Sequence, residues 1–283
     1  MVDIHSHILY GLDDGARTLD ESVALARMAA ENGTTDIAAT PHANQQYAFD
    51  PDAAEARICE LRGVLGDAPR IHRGCDFHLS TENIRDALAN PSKYALNNRR
   101  YVLVEFSDLL IPNSTADTFA LMLGAGMIPI VTHPERNALV RGRAAKLKEW
   151  VEMGCRVQVT AGSLLGAWGR NAEAFAVSLI EEGLAHFVAS DAHDAKYRTP
   201  SLREAFDFVR SRWSAETARS LFVVQPRAAL DGVPFDGPAK PGRRKKWYQR
   251  LARRGNHSLP GGGGNGPRAD SRSEPTASSS SSE

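Results

Sequence analysis

Short apolar runs and amphipathic segments alternate along most of the chain. The clearest apolar run is 101–106, whose near-continuous hydrophobicity is typical of a parallel strand covered on both faces. Comparable runs, each followed by a segment of helical periodicity, predict further strands at 1–7, 35–40, 70–77, 127–132, 156–160 and 186–190. Seven strand–helix units in a row favour parallel strands joined by right-handed crossovers.

Helix-start signals follow these strands. Thr18-Leu19-Asp20-Glu21 fits a capping box, Asp50-Pro51 places proline at a first helical position, and Ser80 can cap a shorter helix. The other predicted helices are 114–123, 144–152, 171–182, 201–210 and 215–221. Seven such units close most naturally as an α/β barrel of the (β/α)7 kind. An open doubly wound sheet is the alternative, but no Gly-x-Gly-x-x-Gly turn supports it.

The first strand carries an alternation of its own. Val2 and Ile4 share one face of an extended chain, and Asp3, His5 and His7 share the other. The two histidines stand roughly 7 Å apart along the strand at about 3.3 Å per residue, so both imidazoles can reach one metal ion. A single His-x-His pair is weak evidence, because a strand with two partly exposed histidines looks the same.

Imidazoles and carboxylates end or follow nearly every predicted strand. The carboxyl ends of barrel strands open on one face, so these groups should meet at one rim. The candidate metal ligands at strand ends are His5, His7, His42, Asp76, Glu105, His133, Asp191 and His193, and Asp14 in the loop after the first strand is a ninth. The four remaining histidines do not fit this pattern, and we expect them to pack internally or lie on the surface: His72, His78, His186 and His257.

Histidine and carboxylate ligands without cysteine favour Mn, Fe, Zn or Mg. Nine candidates exceed what one ion can bind, so we predict two or three ions with bridging carboxylates. Clustered ions suit phosphate-ester hydrolysis, because one activates water and the others stabilise the leaving oxygen. Arg136 and Arg198 are the best-placed guanidiniums for a phosphoryl group, and the alternative for each is a salt bridge between loops. With His42 and His193, which are also candidate ligands, they form the predicted catalytic set.

Charge and composition exclude several classes of protein. The net charge is zero, but residues 237–283 contain ten Lys and Arg against three Asp and Glu, so the tail is +7 and the body −7. An acidic body argues against a nucleic-acid partner. The sequence contains no run of eighteen apolar residues, so we predict no membrane span. Its first residues lack a signal-peptide pattern, and both observations favour a cytoplasmic protein.

The three cysteines give neither a disulfide framework nor a thiolate nucleophile. We expect Cys59, Cys75 and Cys155 to be reduced thiols. Cysteine-dependent phosphatases need Arg six positions after the nucleophile, and those positions hold Leu65, Thr81 and Ala161. Any phosphate-ester hydrolysis by this chain should therefore depend on metal ions rather than on a cysteine.

Taken together, the strand-end segments resemble the polymerase-and-histidinol-phosphatase (PHP) superfamily. Within it, the chain is similar to the bacterial manganese-dependent tyrosine-protein phosphatases of capsule and exopolysaccharide clusters. The segments that carry the resemblance are Asp3-Ile4-His5-Ser6-His7, Asp13-Asp14-Gly15, Ala39-Thr40-Pro41-His42, Leu103-Val104-Glu105-Phe106, His133-Pro134-Glu135-Arg136, Thr160-Ala161-Gly162-Ser163-Leu164-Leu165-Gly166 and Ala189-Ser190-Asp191-Ala192-His193.

The resemblance implies a distorted (β/α)7 barrel over residues 1–236 and a trinuclear site, most naturally of Mn²⁺, formed by the nine ligands named above. It implies Arg136 and Arg198 as phosphate contacts and a tyrosine autokinase of capsule or exopolysaccharide synthesis as the protein substrate. Asp76 departs from the family's usual Glu and is one methylene shorter. The family's Asn-Pro near the end of the body is Gln225-Pro226 here, which we interpret as structural.

Residues 237–283 lie outside the resemblance, and Gly, Pro and Ser dominate them. Such a segment buries too little apolar surface to offset its ordering entropy, so we predict disorder. Eight basic residues between Lys240 and Arg254, interleaved with Trp247, Tyr248 and Leu251, form either a solvated linker or a patch for an anionic membrane or an acidic partner.

Three other functions are compatible with the pattern. The barrel can act on a small phosphomonoester such as histidinol phosphate, or hydrolyse a C–N bond as amidohydrolases with His-x-His do. Those enzymes typically use a carboxylated lysine at the kind of position that Glu105 occupies here. The chain can also be a scaffold that docks through its tail, although a scaffold needs no converging ligands. The sequence is compatible with an oligomer and does not define one.

Overall fold

A computed structural model describes residues 1–66, 68–237 and 241, and all strand pairs among them are parallel. The strands are β1 (Val2–Asp3), β2 (Asp36–Ala39), β3 (His42–Ala43), β4 (Arg70–Arg73), β5 (Asp76–His78), β6 (Tyr101–Glu105), β7 (Ile128–Thr132), β8 (Arg156–Thr160) and β9 (Phe187–Ala189). The predicted parallel α/β architecture is confirmed.

The predicted single ring of seven strands is interrupted. Residues 36–43 and 70–78 each form two short strands where one was predicted, and they break at Thr40-Pro41 and at Gly74-Cys75. The ladder therefore divides into a three-stranded sheet, β1-β2-β4, and a six-stranded sheet, β3-β5-β6-β7-β8-β9. Proline cannot donate a ladder hydrogen bond, and a Cβ on Gly74 would lie 2.8 Å from the Thr40 side chain, so the two breaks fit together.

The first strand is shorter than predicted, yet it still meets the last one. Regular pairing of β1 ends at Asp3, and an isolated parallel bridge joins Ser6 to Ala192 beyond β9. Two backbone hydrogen bonds reinforce it, from Asp191 N to His5 O and from His7 N to Ala192 O, both 2.8 Å. These contacts place the His5–His7 segment beside the Asp191–His193 segment.

Helices connect successive strands. They are α1 (Leu19–Glu31), α2 (Pro51–Leu65), α3 (Thr81–Ala89), α4 (Thr115–Gly124), α5 (Ala138–Arg141), α6 (Ala144–Met153), α7 (Ala161–Leu164), α8 (Gly169–Glu181), α9 (Arg203–Arg212), α10 (Ala215–Arg219) and α11 (Gln225–Asp231), with a 3-10 turn at Leu96–Asn98 and a π-helical turn at Ser220–Val224. The sequence pattern missed α5, α7 and α11, which are too short to show a clear helical period.

The predicted helix starts are confirmed by their caps. The Thr18 hydroxyl accepts a hydrogen bond from Glu21 N, and the Asp50 carboxylate accepts from the backbone of Asp52. The Ser80 hydroxyl accepts from Asn83 N in the same way. Each cap satisfies a backbone N–H that the first helical turn leaves free.

The core has two layers, one inside the strands and one between the strands and helices. Leu103 and Ile130 belong to the inner layer, whereas Val102, Val104 and Val131 pack outward beneath the helices. Burial on both faces explains why 101–106 is a continuous apolar run. The strands thus form a rigid frame whose carboxyl ends hold the polar groups.

At the opposite end of the strands, a buried carboxylate fastens α11 to the sheet. Asp36 pairs with Arg70 at 2.8 Å, with His72 at 3.0 Å, and with Arg227 on α11. Burial alone would raise the pKa of Asp36, but these hydrogen bonds outweigh it and hold the pKa well below its ordinary value.

Replacing this carboxylate should destabilise the fold. We expect Asp36→Asn to lower the free energy of unfolding by about 2 kcal/mol, because the partly buried Arg227 and His72 lose their carboxylate partner while Arg70 stays largely solvated. A carboxyl group with a depressed pKa stabilises the fold at any pH above its ordinary pKa, and this contribution is lost as the pH falls below that value. In urea unfolding, the difference in free energy of unfolding between the native chain and Asp36→Asn should therefore shrink below about pH 4. Asp231→Asn, at an exposed position, is the control; equal losses would refute this role.

No helix among the described residues is long and apolar enough to cross a membrane. The basic segment between Lys240 and Arg254 lies outside the described residues apart from Pro241, as does His257. The predicted boundary at residue 236 and the predicted disorder of the tail stay predictions.

Candidate active site

The predicted ligands converge at the carboxyl ends of the strands. Nε2 of His5 and Nε2 of His7 lie 3.2 Å apart. Ligand atoms within 4.8 Å of one another form three groups: His7, Asp14, His42 and His193; His5, His7 and Asp76; and His42, Asp76 and Glu105. Because His7, His42 and Asp76 each occur in two groups, the three form one continuous cluster.

The two remaining candidates lie beside these groups. The ring of His133 stacks on His5 with centroids 5.6 Å apart, and its Nε2 is 3.6 Å from Glu105. Asp191 Oδ1 lies 3.4 Å from Nε2 of both His5 and His7. All nine predicted residues therefore face one another, although their role as ligands stays a prediction.

Asp191 also holds the two predicted arginines. Its Oδ2 accepts hydrogen bonds from Arg136 and, at 2.6 Å, from Arg198. One carboxylate thus turns one oxygen to the histidines and the other to two guanidiniums. The salt bridge foreseen as the alternative role is present, and it fixes both cations at the edge of the cluster.

Buried polar atoms at the centre of the cluster lack hydrogen-bond partners. They are Nδ1 of His42, Nε2 of His193 and both carboxylate oxygens of Asp76. Buried polar atoms in folded proteins are nearly always satisfied, so these need another partner. Imidazole nitrogens and carboxylate oxygens at this spacing are the donor set of a divalent cation, and the residues present fit such a cofactor.

Two residues that lie just past strand ends carry backbone strain at the site. His133 has φ +30° and Asp191 has φ +52°, in the left-handed region that residues other than glycine rarely adopt. Neither residue is glycine, which would adopt such a φ without steric cost. Arg136 and Arg198 hold the Asp191 carboxylate at the cluster, and the His133 carbonyl oxygen accepts a hydrogen bond from Arg136 N at 2.9 Å. Strained backbone of this kind is common where function fixes geometry.

The carboxylates make the cluster strongly attractive to positive charge. Burial alone would lower the pKa of His42, but Asp14, Asp76 and Glu105 outweigh burial and raise it to about 11. Asp13 similarly raises the pKa of His7 to about 9 against the effect of burial. A divalent cation satisfies the same electrostatic demand as these protons.

Burial dominates the pKa shifts of three other groups in the cluster. Burial lowers the pKa of His193 to about 4 and holds that of His133 well below its ordinary value. Burial, assisted by the charge of Asp76, raises the pKa of Glu105 to about 7. His193 and His133 are therefore neutral near pH 7, which is the form that ligates a metal.

Sequence reasoning did not assign a role to the residues that hold the ligand rings. Asp13 Oδ2 lies 2.6 Å from Nδ1 of His7, and Gln158 Oε1 lies 2.9 Å from Nδ1 of His5. Each contact leaves Nε2 facing the cluster. A Cβ at Gly15 would lie 2.0 Å from the His7 carbonyl oxygen, so glycine allows this loop to press Asp13 against His7. The pair Asp13-Asp14 was a usable signal, but only Asp14 was counted.

Losing the Asp13 carboxylate should weaken metal binding without removing a predicted ligand. We expect Asp13→Asn to lower the affinity for Mn²⁺ by about 10- to 100-fold, because His7 loses the acceptor that fixes its tautomer and orientation. Isothermal titration calorimetry would measure this, with Asp20→Asn on α1 as the control. An unchanged affinity would contradict the orienting role.

The histidines that were set aside behave as expected where they can be seen. His72 bonds to Asp36 at the far end of the strands, and His186 is buried with its Nδ1 accepting from Val157 N at 3.2 Å. His78 is the last residue of β5, and burial lowers its pKa. None of the three belongs to the ligand groups found among the described residues.

An interrupted parallel α/β barrel with histidines and carboxylates clustered at its carboxyl rim defines a metallohydrolase-like protein. The chain belongs to the family described as "Capsular polysaccharide synthesis, CpsB/CapC", whose model matches residues 1–231. It is 34% identical over 252 residues to tyrosine-protein phosphatase YwqE of Bacillus subtilis, covering 88% of this chain and 99% of that protein. It is 28% identical to tyrosine-protein phosphatase CpsB of Streptococcus pneumoniae, covering 81% and 98% respectively.

A solved structure of these relatives supports the fold. It is described as one of "YwqE from Bacillus subtilis and CpsB from Streptococcus pneumoniae, unique metal-dependent tyrosine phosphatases". The match has a TM-score of 0.79 and 33% sequence identity, and it covers 87% of this chain and 100% of that one. The family resemblance predicted from the strand-end segments is therefore confirmed.

Proposed function

We propose that this chain is a metal-dependent phosphatase that hydrolyses phosphotyrosine in proteins. The observation that carries the proposal is Asp191, which faces His5 and His7 with one oxygen and binds Arg136 and Arg198 with the other. A site for cations and a site for an anion thus share one residue. A phosphate ester needs both, and the family's tyrosine phosphatases supply the substrate class.

The protein's own groups would divide the work as follows. The nine predicted ligands would hold two or three divalent cations, which when bound polarise phosphoryl oxygens and lower the pKa of water. Asp13 and Gln158 orient the rings of His7 and His5. Arg136 and Arg198 would bind the phosphoryl oxygens and stabilise the charge that grows on them. Water replaces tyrosine on phosphorus, giving tyrosine and inorganic phosphate.

The cysteines support a mechanism without a thiolate. Cys75 and Cys155 are buried, and burial raises the pKa of both, that of Cys155 to about 12. Cys59 is exposed on α2. A nucleophilic cysteine needs a depressed pKa and a phosphate-cradling loop.

The finer assignments rest on the family resemblance. We propose Mn²⁺ as the metal, a tyrosine autokinase of capsule or exopolysaccharide synthesis as the substrate, and a cytoplasmic location. We also propose that the basic segment between Lys240 and Arg254 binds an anionic membrane surface where such a kinase lies. Deleting residues after Asp236 should then reduce co-sedimentation with anionic liposomes at low salt, and unchanged sedimentation would refute the membrane role.

A comparison of substrates tests the proposed activity. A phosphotyrosine peptide should be hydrolysed with a higher kcat/KM than histidinol phosphate, and His42→Ala should abolish both reactions. Vanadate should inhibit less than it inhibits a thiolate enzyme. A preference for histidinol phosphate would favour the small-molecule alternative, and tight metal binding without turnover of either substrate would favour the scaffold.

A further inference from the structure

A half-exposed tryptophan stands at the edge of the predicted phosphate site. Trp168 is 40% exposed, whereas Trp150 and Trp213 are each 3% exposed in the core. The Arg136 guanidinium lies 3.8 Å from the centre of its ring, and that of Arg198 lies 5.7 Å away. Both arginines that would bind phosphate therefore contact the same indole, so a group attached to that phosphate must pass close to it.

The loop that carries Trp168 is built to hold it there. Gly166 and Gly169 flank the tryptophan with φ of +83° and +82°, values that glycine adopts without steric cost. Backbone hydrogen bonds from Ala167 N to Gly162 O and from Gly169 N to Gly166 O close the turn at 2.9 and 3.0 Å. Trp168 is thus exposed because of a defined backbone turn.

A cleft of about 680 Å³ opens beside this tryptophan. Asp191 and Arg198 line it with little exposure, 2% and 26% of their side chains, and the phosphoryl group would sit beside them. Leu165, Trp168 and Tyr197 also line it and are more exposed, at 44%, 40% and 78%. The cleft therefore runs from charged groups to apolar and aromatic ones, which matches an anion attached to an aromatic ring.

We propose that this cleft binds the phenyl ring of phosphotyrosine and that Trp168 is the specificity-determining residue that contacts it. The proposal rests on the proposed function and adds the part of the molecule that recognises the leaving group. Stacked or edge-to-face aromatic pairs are favourable beyond the area they bury. A phosphoserine side chain, which ends a ring's length short, would leave Trp168 without a partner.

The alternative role for Trp168 is to position Arg136 and Arg198 without contacting the substrate, since both guanidiniums lie against its ring. Inorganic phosphate separates the two roles because it occupies the phosphoryl site and carries no ring. If Trp168 contacts the phenyl ring, replacing it should lower kcat/KM for the peptide and leave the Ki of inorganic phosphate unchanged. If Trp168 only positions the arginines, replacing it should weaken peptide hydrolysis and phosphate binding to the same extent.

The test compares Trp168→Ala, Trp168→Phe and the metal-loaded native chain. We expect Trp168→Ala to lower kcat/KM for a phosphotyrosine peptide by about tenfold or more, and to change the Ki of inorganic phosphate by less than about threefold. Trp168→Phe, which keeps an aromatic face, should recover most of the peptide activity. Leu121→Ala, at a 58% exposed position on α4, should change neither quantity.

Two results would overturn the proposal. One is an unchanged kcat/KM for the peptide in Trp168→Ala, and the other is a rise in Ki for phosphate as large as the fall in kcat/KM. Thermal melting would establish that each variant is folded. A native chain that fails to hydrolyse the peptide would instead overturn the proposed function, so the two failures are distinct.

Discussion

Asp191→Asn should reduce kcat/KM for a phosphotyrosine peptide by about 10³-fold or more and lower the bound metal by at least one ion per chain. The substitution removes the charge that faces His5 and His7 and that pairs with Arg136 and Arg198. Asparagine keeps the size of the side chain and tolerates the positive φ of this position, so the backbone need not move. Steady-state kinetics and elemental analysis of the purified variant would measure both effects.

A matched control exists at the other end of the barrel. Asp36 is also a buried carboxylate paired with two arginines, but it lies at the amino end of β2. Asp36→Asn should lose stability and keep native metal content and turnover at temperatures where it is folded. If both aspartate variants kept full activity, Asp191 would be only a structural ion pair, and the proposed site would be wrong.

Arg136→Lys should lower kcat by about 10²-fold, although the positive charge is retained. A guanidinium presents a planar pair of N–H donors that matches two oxygens of a phosphoryl group, and an ammonium does not. Lysine also loses the flat contact with Trp168. The fall should appear in kcat more than in KM if the guanidinium acts mainly in the transition state.

Arg219→Lys is the control for the arginine, since residue 219 is exposed on α10 away from the cluster. Arg198→Lys should resemble Arg136→Lys, because both guanidiniums meet the same oxygen of Asp191. A native kcat in Arg136→Lys would show that this arginine serves only as a salt bridge between loops.

Much of the site followed from where polar residues stand relative to strands. His42, Glu105 and His133 could be placed at one rim, because parallel strands in a barrel all end on the same face. The caps at Thr18, Asp50 and Ser80 were also predictable, since they depend on residues within the same turn. Strand direction was sufficient to place the rim residues, and the residues of a single helical turn were sufficient to predict the caps.

Other features depend on contacts between segments distant in sequence. The break at Gly74 reflects its closeness to Thr40, which no strand period encodes. Pairing of Gln158 with His5 joins residues 153 positions apart. Trp168 contacts Arg136 and Arg198 because a glycine turn presents it, and in the sequence it looks like any other tryptophan. Contacts of this kind are set by the three-dimensional fold and cannot be predicted from the local sequence.

In the proposed mechanism, a cluster of cations held by the nine ligands is required for the hydrolysis. The most direct measurement is a Mn²⁺ titration of the chelator-stripped chain, recording phosphotyrosine-peptide turnover against ions bound per chain. We expect no turnover in the stripped chain and full restoration once two or three ions per chain are bound. Full turnover in excess chelator would contradict the account.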